Sequence, residues 1–211
     1  MSDLKIGRIV LGVCQTNCYF IYHEGEKKVI FIDPADNGKY INQTLKSKGF
    51  EVEAILLTHG HFDHIWGCSE LRKETGAKVY ALNIEEEVLQ SSSLNLSENA
   101  GRACTVKVNT LLNDGEVISI LGYSIKTIAT PGHTKGSCCY YFEDEKILVS
   151  GDTLFLESVG RTDLPTGSMG ELSRSIIEKL SKLPDDVKVY PGHGDSTTIG
   201  HEKKINPFWC E

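Results

Sequence analysis

Three histidines and an aspartate crowd into the hexapeptide His59-Gly60-His61-Phe62-Asp63-His64, in a chain with seven histidines among 211 residues. Two more histidines follow the same dipeptide, His133 after Pro131-Gly132 and His193 after Pro191-Gly192, and Asp152 ends the run Val149-Ser150-Gly151-Asp152. Imidazole and carboxylate donors together suit zinc, iron or manganese and need no thiolate. A structural zinc site closes with four ligands, usually including cysteine. The donors here are all nitrogen or oxygen, too many for one such site and about right for two open ones. Two divalent ions about 3.5–4 Å apart can share a bridging water and bring its pKa towards neutrality, which makes a hydroxide nucleophile.

The donors need rigid supports, and the flanking residues supply them. AILLTHGH, SIKTIATPGH, KILVSGD and VKVYPGH are all apolar strands that end in a glycine-containing turn carrying His or Asp. Glycine lets the backbone turn sharply, and strand ends anchor the side chains so that they can converge.

The remaining pattern predicts strands over Lys5–Val10, Cys18–Tyr22, Val29–Ile32, Ala54–Leu57 and Lys78–Leu82 in the first half. It predicts helices over Asn37–Lys48, Ile65–Thr75 and Ile84–Gln90, then a long polar loop through SSSLNLSENAGR. Strands follow at Val106–Val108, Val117–Ile120, Ser124–Ala129, Cys138–Phe142 and Lys146–Val149, then a helix over Glu171–Leu183 and a strand at Val187–Tyr190. No linker or low-complexity tract interrupts the chain, so one mixed domain over residues 1–211 is expected.

Hydrophobic residues at 40% and charged residues at 24% are ordinary for a soluble globular protein. A net charge of −7 speaks against a nucleic-acid partner, because displacing counterions takes lysine and arginine. No apolar run approaches the roughly 18 to 20 residues of a membrane span, and the N-terminus lacks an export signal, so a cytoplasmic protein is expected. The seven cysteines, Cys14, Cys18, Cys68, Cys104, Cys138, Cys139 and Cys210, are odd in number and scattered. That spacing fits free thiols in a reducing compartment, with Cys14 and Cys18 on or beside an N-terminal hairpin.

At His59–His64, and again at His133, Asp152 and His193, the sequence resembles the metallo-β-lactamase fold superfamily, in order and spacing along the whole chain. The resemblance implies an α+β protein, a four-layer αβ/βα sandwich of two mixed β-sheets flanked by helices, with its site in the cleft between the halves. It implies that His59, His61 and His133 bind a first metal, that Asp63, His64 and His193 bind a second, and that Asp152 bridges them. GDTLFLESVGRTDLPTG and YPGHGDSTTIGHEKKINPF are similar to the short bacterial glyoxalase II branch, whose chemistry is hydrolysis of S-acyl thiol esters such as hydroxyacylglutathione. Only residues 194–211 follow the last histidine motif, so the helical C-terminal domain of the full-length enzymes is not expected. Thr162, Asp163 and Ser196 stand where that family has aromatic residues near the thiol.

The expected activity is therefore a binuclear metal-dependent hydrolase acting on a small-molecule thioester, with two divalent ions, zinc first and iron or manganese as alternatives. A hydroxide bridging the ions attacks the thioester carbonyl, and Asp63 orients it and takes its proton. Arg161 is expected to pair with a substrate carboxylate, and Lys135 also; Arg161 could instead form a surface ion pair with Asp163. Asp33, ending the strand VIFID, reads either as an acceptor that orients a ligand imidazole or as a turn residue before Pro34. The nearest alternative activity is a mononuclear iron persulfide dioxygenase of the same fold. A β-lactamase, a nuclease and a non-catalytic binding protein fit the sequence less well.

Overall fold

The computed structural model describes residues 4–209, which leaves Cys210 outside the described residues. Two six-stranded sheets form the frame. The first runs in sequence order: β1 (Leu4–Leu11), β2 (Thr16–His23), β3 (Lys28–Ile32), β4 (Glu51–Leu56), β5 (Lys78–Leu82) and β6 (Thr110–Leu112). β1 to β3 pair antiparallel, and β3 to β6 pair parallel. The second sheet contains β7 (Val117–Ile120), β8 (Tyr123–Ala129), β9 (Cys138–Phe142), β10 (Ile147–Gly151), β13 (Lys188–Pro191) and β14 (Thr197–Thr198). Its spatial order is β14-β13-β10-β9-β8-β7, with β10 and β13 the one parallel pair among its described ladders. A small hairpin, β11 (Leu154–Phe155) with β12 (Ser158–Val159), branches off after β10.

Side-chain alternation explains the layering. On β2 and β3, Tyr19, Ile21, Ile30 and Ile32 face one way and meet Tyr140, Phe142, Ile125 and Val149 of the second sheet. Phe20, Val29 and Phe31 face the other way, onto Ile41 and Leu45 of α1 (Gly38–Ser47) and Leu71 of α3 (Cys68–Thr75). The second sheet repeats the arrangement. Cys139, Tyr141, Leu148 and Val189 pack outward against Leu172 of α5 (Met169–Arg174) and Ile199 of α6 (Ile199–Ile205). Strands buried on both faces carry near-continuous apolar runs, which is why CCYYF and KVIFI read that way. The result is helix, sheet, sheet, helix, the α+β sandwich of two mixed sheets expected from the resemblance.

Several elements differ from the sequence expectation. The helix expected over Ile65–Thr75 is two: α2 (Phe62–Ile65) and α3, separated at Trp66 and Gly67. The Gly67 N–H donates to Pro34 O at 2.8 Å, which ties the break to the loop after β3. No strand forms at Val106–Val108. There the Val106 N–H donates to Leu89 O of α4 (Glu86–Leu89), and Asn109 instead caps β5, its side-chain oxygen accepting from the Val79 N–H at 3.0 Å. The helix expected over Glu171–Leu183 starts at Met169 under a Ser168 cap, then widens to a π turn over Ser175–Lys179 and tightens to a 3-10 turn at Leu180–Lys182. The elements β6, β11, β12, β14 and α6 have no counterpart in the sequence expectation; the Thr198 hydroxyl caps α6 by accepting from the His201 N–H.

Candidate metal centre

Each donor sits just past a strand end. The hexapeptide follows β4, with Asp63 and His64 in the first turn of α2; His133 follows β8, Asp152 follows β10 and His193 follows β13. These four ends belong to interior strands of the two sheets, β4 of the first and β8, β10 and β13 of the second. Three overlapping groups of donor atoms result, His59–His61–His133, His59–His64–Asp152 and Asp63–His64–His193, with the atoms of each within 4.8 Å of one another. Asp152 lies between the first and last of them: its carboxylate is 3.3 Å from His64 Nε2, 3.6 Å from His133 Nε2 and 3.4 Å from His193 Nε2. All seven residues named from the sequence are therefore brought to one place.

The orientation of the imidazoles is set from behind. His64 Nδ1 lies 2.9 Å from Asp33 Oδ2, His133 Nδ1 2.7 Å from the Arg161 carbonyl, and His193 Nδ1 3.1 Å from the Cys14 carbonyl. His59 Nδ1 is 3.2 Å from Thr58 Oγ1. An Nδ1–H donated outward leaves Nε2 as a lone pair aimed inward, which is the arrangement a metal-binding histidine needs. Of the two readings of Asp33, the geometry favours the acceptor. It also takes hydrogen bonds from the Thr58 N–H at 2.8 Å and the Thr58 hydroxyl at 2.6 Å.

His61 turns its Nδ1 to His133 Nε2 at 2.8 Å, and three buried polar atoms of the donor residues, His59 Nε2, His61 Nε2 and Asp152 Oδ1, make no hydrogen bond. Orphaned buried polar atoms are rare and costly. Here they belong to donor residues that lie in overlapping groups, His59 with His64 and Asp152 and His61 with His59 and His133, so the residues fit a cation. The charges agree. Burial drives His59 well below the ordinary imidazole range and His61 down to about 3, so both are neutral donors. Burial also opposes charge on His64 and His193, but it is outweighed there. Asp152, Asp63 and Asp33 hold His64 well above its ordinary value, and hydrogen bonds to Asp152 and Asp63 lift His193 to about 9. Asp63 and Asp152 stay below the usual carboxylate range despite burial, chiefly because of His64 and His193. The pocket therefore attracts positive charge.

Close packing leaves little tolerance. A Cβ on Gly192 would lie 2.2 Å from Asp152 Oδ1 and 2.7 Å from His64 Cε1. Gly192→Ala is expected to push the Asp152 carboxylate aside and lower the divalent metal retained after dialysis, measured by elemental analysis. Retention equal to the parent would contradict this.

A cavity of about 520 Å³ opens above the donors. Phe62, Leu96, Phe155, Val159 and Leu164 give it an apolar wall, and Cys14 and Arg161 also line it. Arg161 Nε and Nη2 each lie 2.8 Å from an Asp163 oxygen, the surface pair that the sequence left as an alternative. Lys135 is not among the lining residues, and its Nζ pairs with Glu87. A second cleft of about 540 Å³, on the outer face of the second sheet, carries Asp114, Lys126 and Lys179 but none of the donor groups found among the described residues. Sequence reasoning missed Thr58, Leu96 and Phe155, which have no signature of their own, and Glu85, hidden in an acidic run.

The model of the metallo-beta-lactamase superfamily matches residues 11–193. A probable metallo-hydrolase of Bacillus subtilis, YqgX, is 39% identical over 208 residues, covering 97% of each chain. The hydroxyacylglutathione hydrolase GloC of Haemophilus influenzae is 34% identical over 211 residues, covering 97% of this chain and 98% of its own. Among solved structures, the BLEG-1 B3 metallo-beta-lactamase superposes with a TM-score of 0.92 at 37% identity, over 98% of this chain and 100% of its own. With the donors in place, the sandwich matched and the family model spanning all of them, the chain belongs to the metallo-beta-lactamase superfamily.

Proposed function

We propose that this chain is a binuclear metal-dependent hydrolase that cleaves S-acyl thiol esters. The observation that carries the proposal is the pair of donor trios joined through Asp152 beneath a cavity with an apolar wall. In this reading His59, His61 and His133 hold one ion, Asp63, His64 and His193 the other, and Asp152 reaches both. Divalent ions held there would polarise the thioester carbonyl and bring a water's pKa towards neutrality. Zinc suits the nitrogen and oxygen donors, and iron or manganese would also fit them.

The chain's own groups do the rest. The apolar wall takes the acyl portion and excludes bulk water from the reacting carbon. Asp63 lines the same cavity, within 3.3 Å of the Thr16 hydroxyl, and it orients the attacking water and accepts its proton. The leaving thiol has an ordinary pKa near about 8.5, so it departs as thiolate without a strong acid beside it. Arg161 is the cavity's candidate for a carboxylate on the carrier. Its pair with Asp163 is exposed, and such pairs hold weakly enough to exchange partners.

GloC, named for hydroxyacylglutathione hydrolysis, supports the thioester reading. The free thiols among the described residues fit a reducing, cytoplasmic setting, and no helix among them is long and apolar enough to cross a membrane. The test is metal content of the purified protein alongside turnover of thioesters, a β-lactam and a persulfide. Two ions per chain with thioester turnover is the expected result. One iron with oxygen uptake on the persulfide, or β-lactam turnover alone, would overturn it.

A further inference from the structure

Glu85 is a fully buried acid that none of the chemistry above uses. It lies in the turn Asn83–Glu85 between β5 and α4, 1% exposed, beneath both loops that carry the His59–His61–His133 trio. Its Oε1 accepts from the Gly60 N–H at 2.7 Å, between His59 and His61. Its Oε2 accepts from the Gly136 N–H at 2.9 Å, in the loop after His133. The Thr134 hydroxyl, next to His133, lies 2.9 and 3.0 Å from the two oxygens. One carboxylate thus joins the two loops, which come from different sheets.

The packing is as tight as the hydrogen bonding. A Cβ on Gly60 would lie 2.9 Å from Val88 Cγ1 and 3.1 Å from Glu85 Oε1, and one on Gly136 would lie 2.3 Å from Glu85 N. Both loops press onto the same turn. Deeper down, the Cys138 N–H donates to Thr58 O at 2.9 Å and fixes the strand ends to each other. Glu85 makes the corresponding joint further out, beside the donors themselves. Burial pushes its carboxyl up to about 7 against the hydrogen bonds from Gly60, Thr134 and Gly136, so a charge there is costly to keep. An apolar side chain would avoid that cost but could not hold two backbone N–H groups at a fixed separation.

We propose that Glu85 is a positioning residue that sets the metal affinity of the His59–His61–His133 trio, by clamping the Gly60 and Gly136 loops at the spacing the trio needs. The proposal rests on the two-ion reading of the site. It distinguishes the two ions: Asp63, His64 and His193 lie on α2 and after β13, and none of Glu85's hydrogen bonds reaches them.

Glu85→Gln is the sharpest variant, since it keeps the shape but turns one acceptor oxygen into a donor facing an N–H or hydroxyl. Zinc binding by the full chain, measured by competition with a chromophoric chelator, is expected to show one of two zinc equivalents weakened about 10- to 100-fold, the range for such supporting groups. The other equivalent should stay within threefold. Lost activity should return at saturating zinc, which a merely misfolded variant would not show. Thr134→Val, which leaves the carboxylate intact, should weaken the same equivalent less, and Thr134→Ser should restore it. Should Glu85→Gln fail to fold, the Thr134 pair carries the test alone. Wild-type affinity at both equivalents, or equal weakening of both, overturns the proposal. Fewer than two zinc ions on the parent protein overturns the two-ion reading instead.

Discussion

Asp63→Asn should lower kcat for thioester hydrolysis by about 10²- to 10⁴-fold, the range spanned by a positioned general base. Asparagine has nearly the same shape, so the cavity wall and the start of α2 should survive, and far-ultraviolet circular dichroism should match the parent. What it lacks is the ability to accept a proton near neutral pH. Asp63 is mostly buried, its Oδ2 lies 3.3 Å from His193 Nε2 and 3.3 Å from the Thr16 hydroxyl, and the same side chain lines the cavity. His64 and His193 hold its carboxyl below the usual carboxylate range against burial, so the proposed base carries no proton before substrate arrives. Because Asp63 is also a proposed donor, metal must be counted in the same sample. A loss that excess zinc restores would mean that Asp63 only holds an ion. A loss that persists at full metal occupancy supports the base. A variant within tenfold of the parent at full occupancy would remove Asp63 from the reaction.

How legible this site was depends on what kind of information each residue carries. The seven donors were readable because their residue types are rare, they cluster in sequence and each follows an apolar strand into a glycine turn. Such local signals survive without knowledge of the fold. The sandwich itself came from the resemblance, while the near-continuous apolar runs CCYYF and KVIFI are consistent with burial on two faces but cannot say what covers them. Glu85 could not be found this way. It belongs to the run Glu85-Glu86-Glu87, which reads as the solvated start of a helix, and only the arrival of the Gly60 and Gly136 loops makes its first member an interior group. Leu96 is similar. It adopts a left-handed backbone, φ 65°, within a polar loop, and comes to line the cavity because Asn95 O accepts from the Phe62 N–H at 2.9 Å. The break at Gly67 was also a tertiary effect, since the hydrogen bond from its N–H to Pro34 O has no trace in the local pattern.

Asp33→Asn should be the most destabilising conservative change in the site, by about 3–5 kcal/mol, the cost of breaking a buried charged pair from one side. In a domain of this size that corresponds to a fall in Tm of about 6–20 °C, readable by calorimetry. Asp33 is 2% exposed and receives three hydrogen bonds, from the Thr58 N–H, the Thr58 hydroxyl and His64 Nδ1. An amide offers one acceptor oxygen and two N–H groups, so at least one of those donors must face another donor. The backbone cannot be blamed for the loss. Asp33 has φ 52°, and asparagine is among the residues that best tolerate that left-handed region. A fall of less than about 1 kcal/mol would show that the three contacts exchange freely for water, and the anchoring role would fail. The metal-binding pattern should also differ from that of Glu85→Gln. Asp33 holds His64 directly and His59 through the Thr58 hydroxyl, and the proposed two-ion reading assigns these histidines to different ions. Its loss should therefore weaken both zinc equivalents, whereas loss of the Glu85 clamp should weaken one, and a single titration of the two variants side by side separates the two supports.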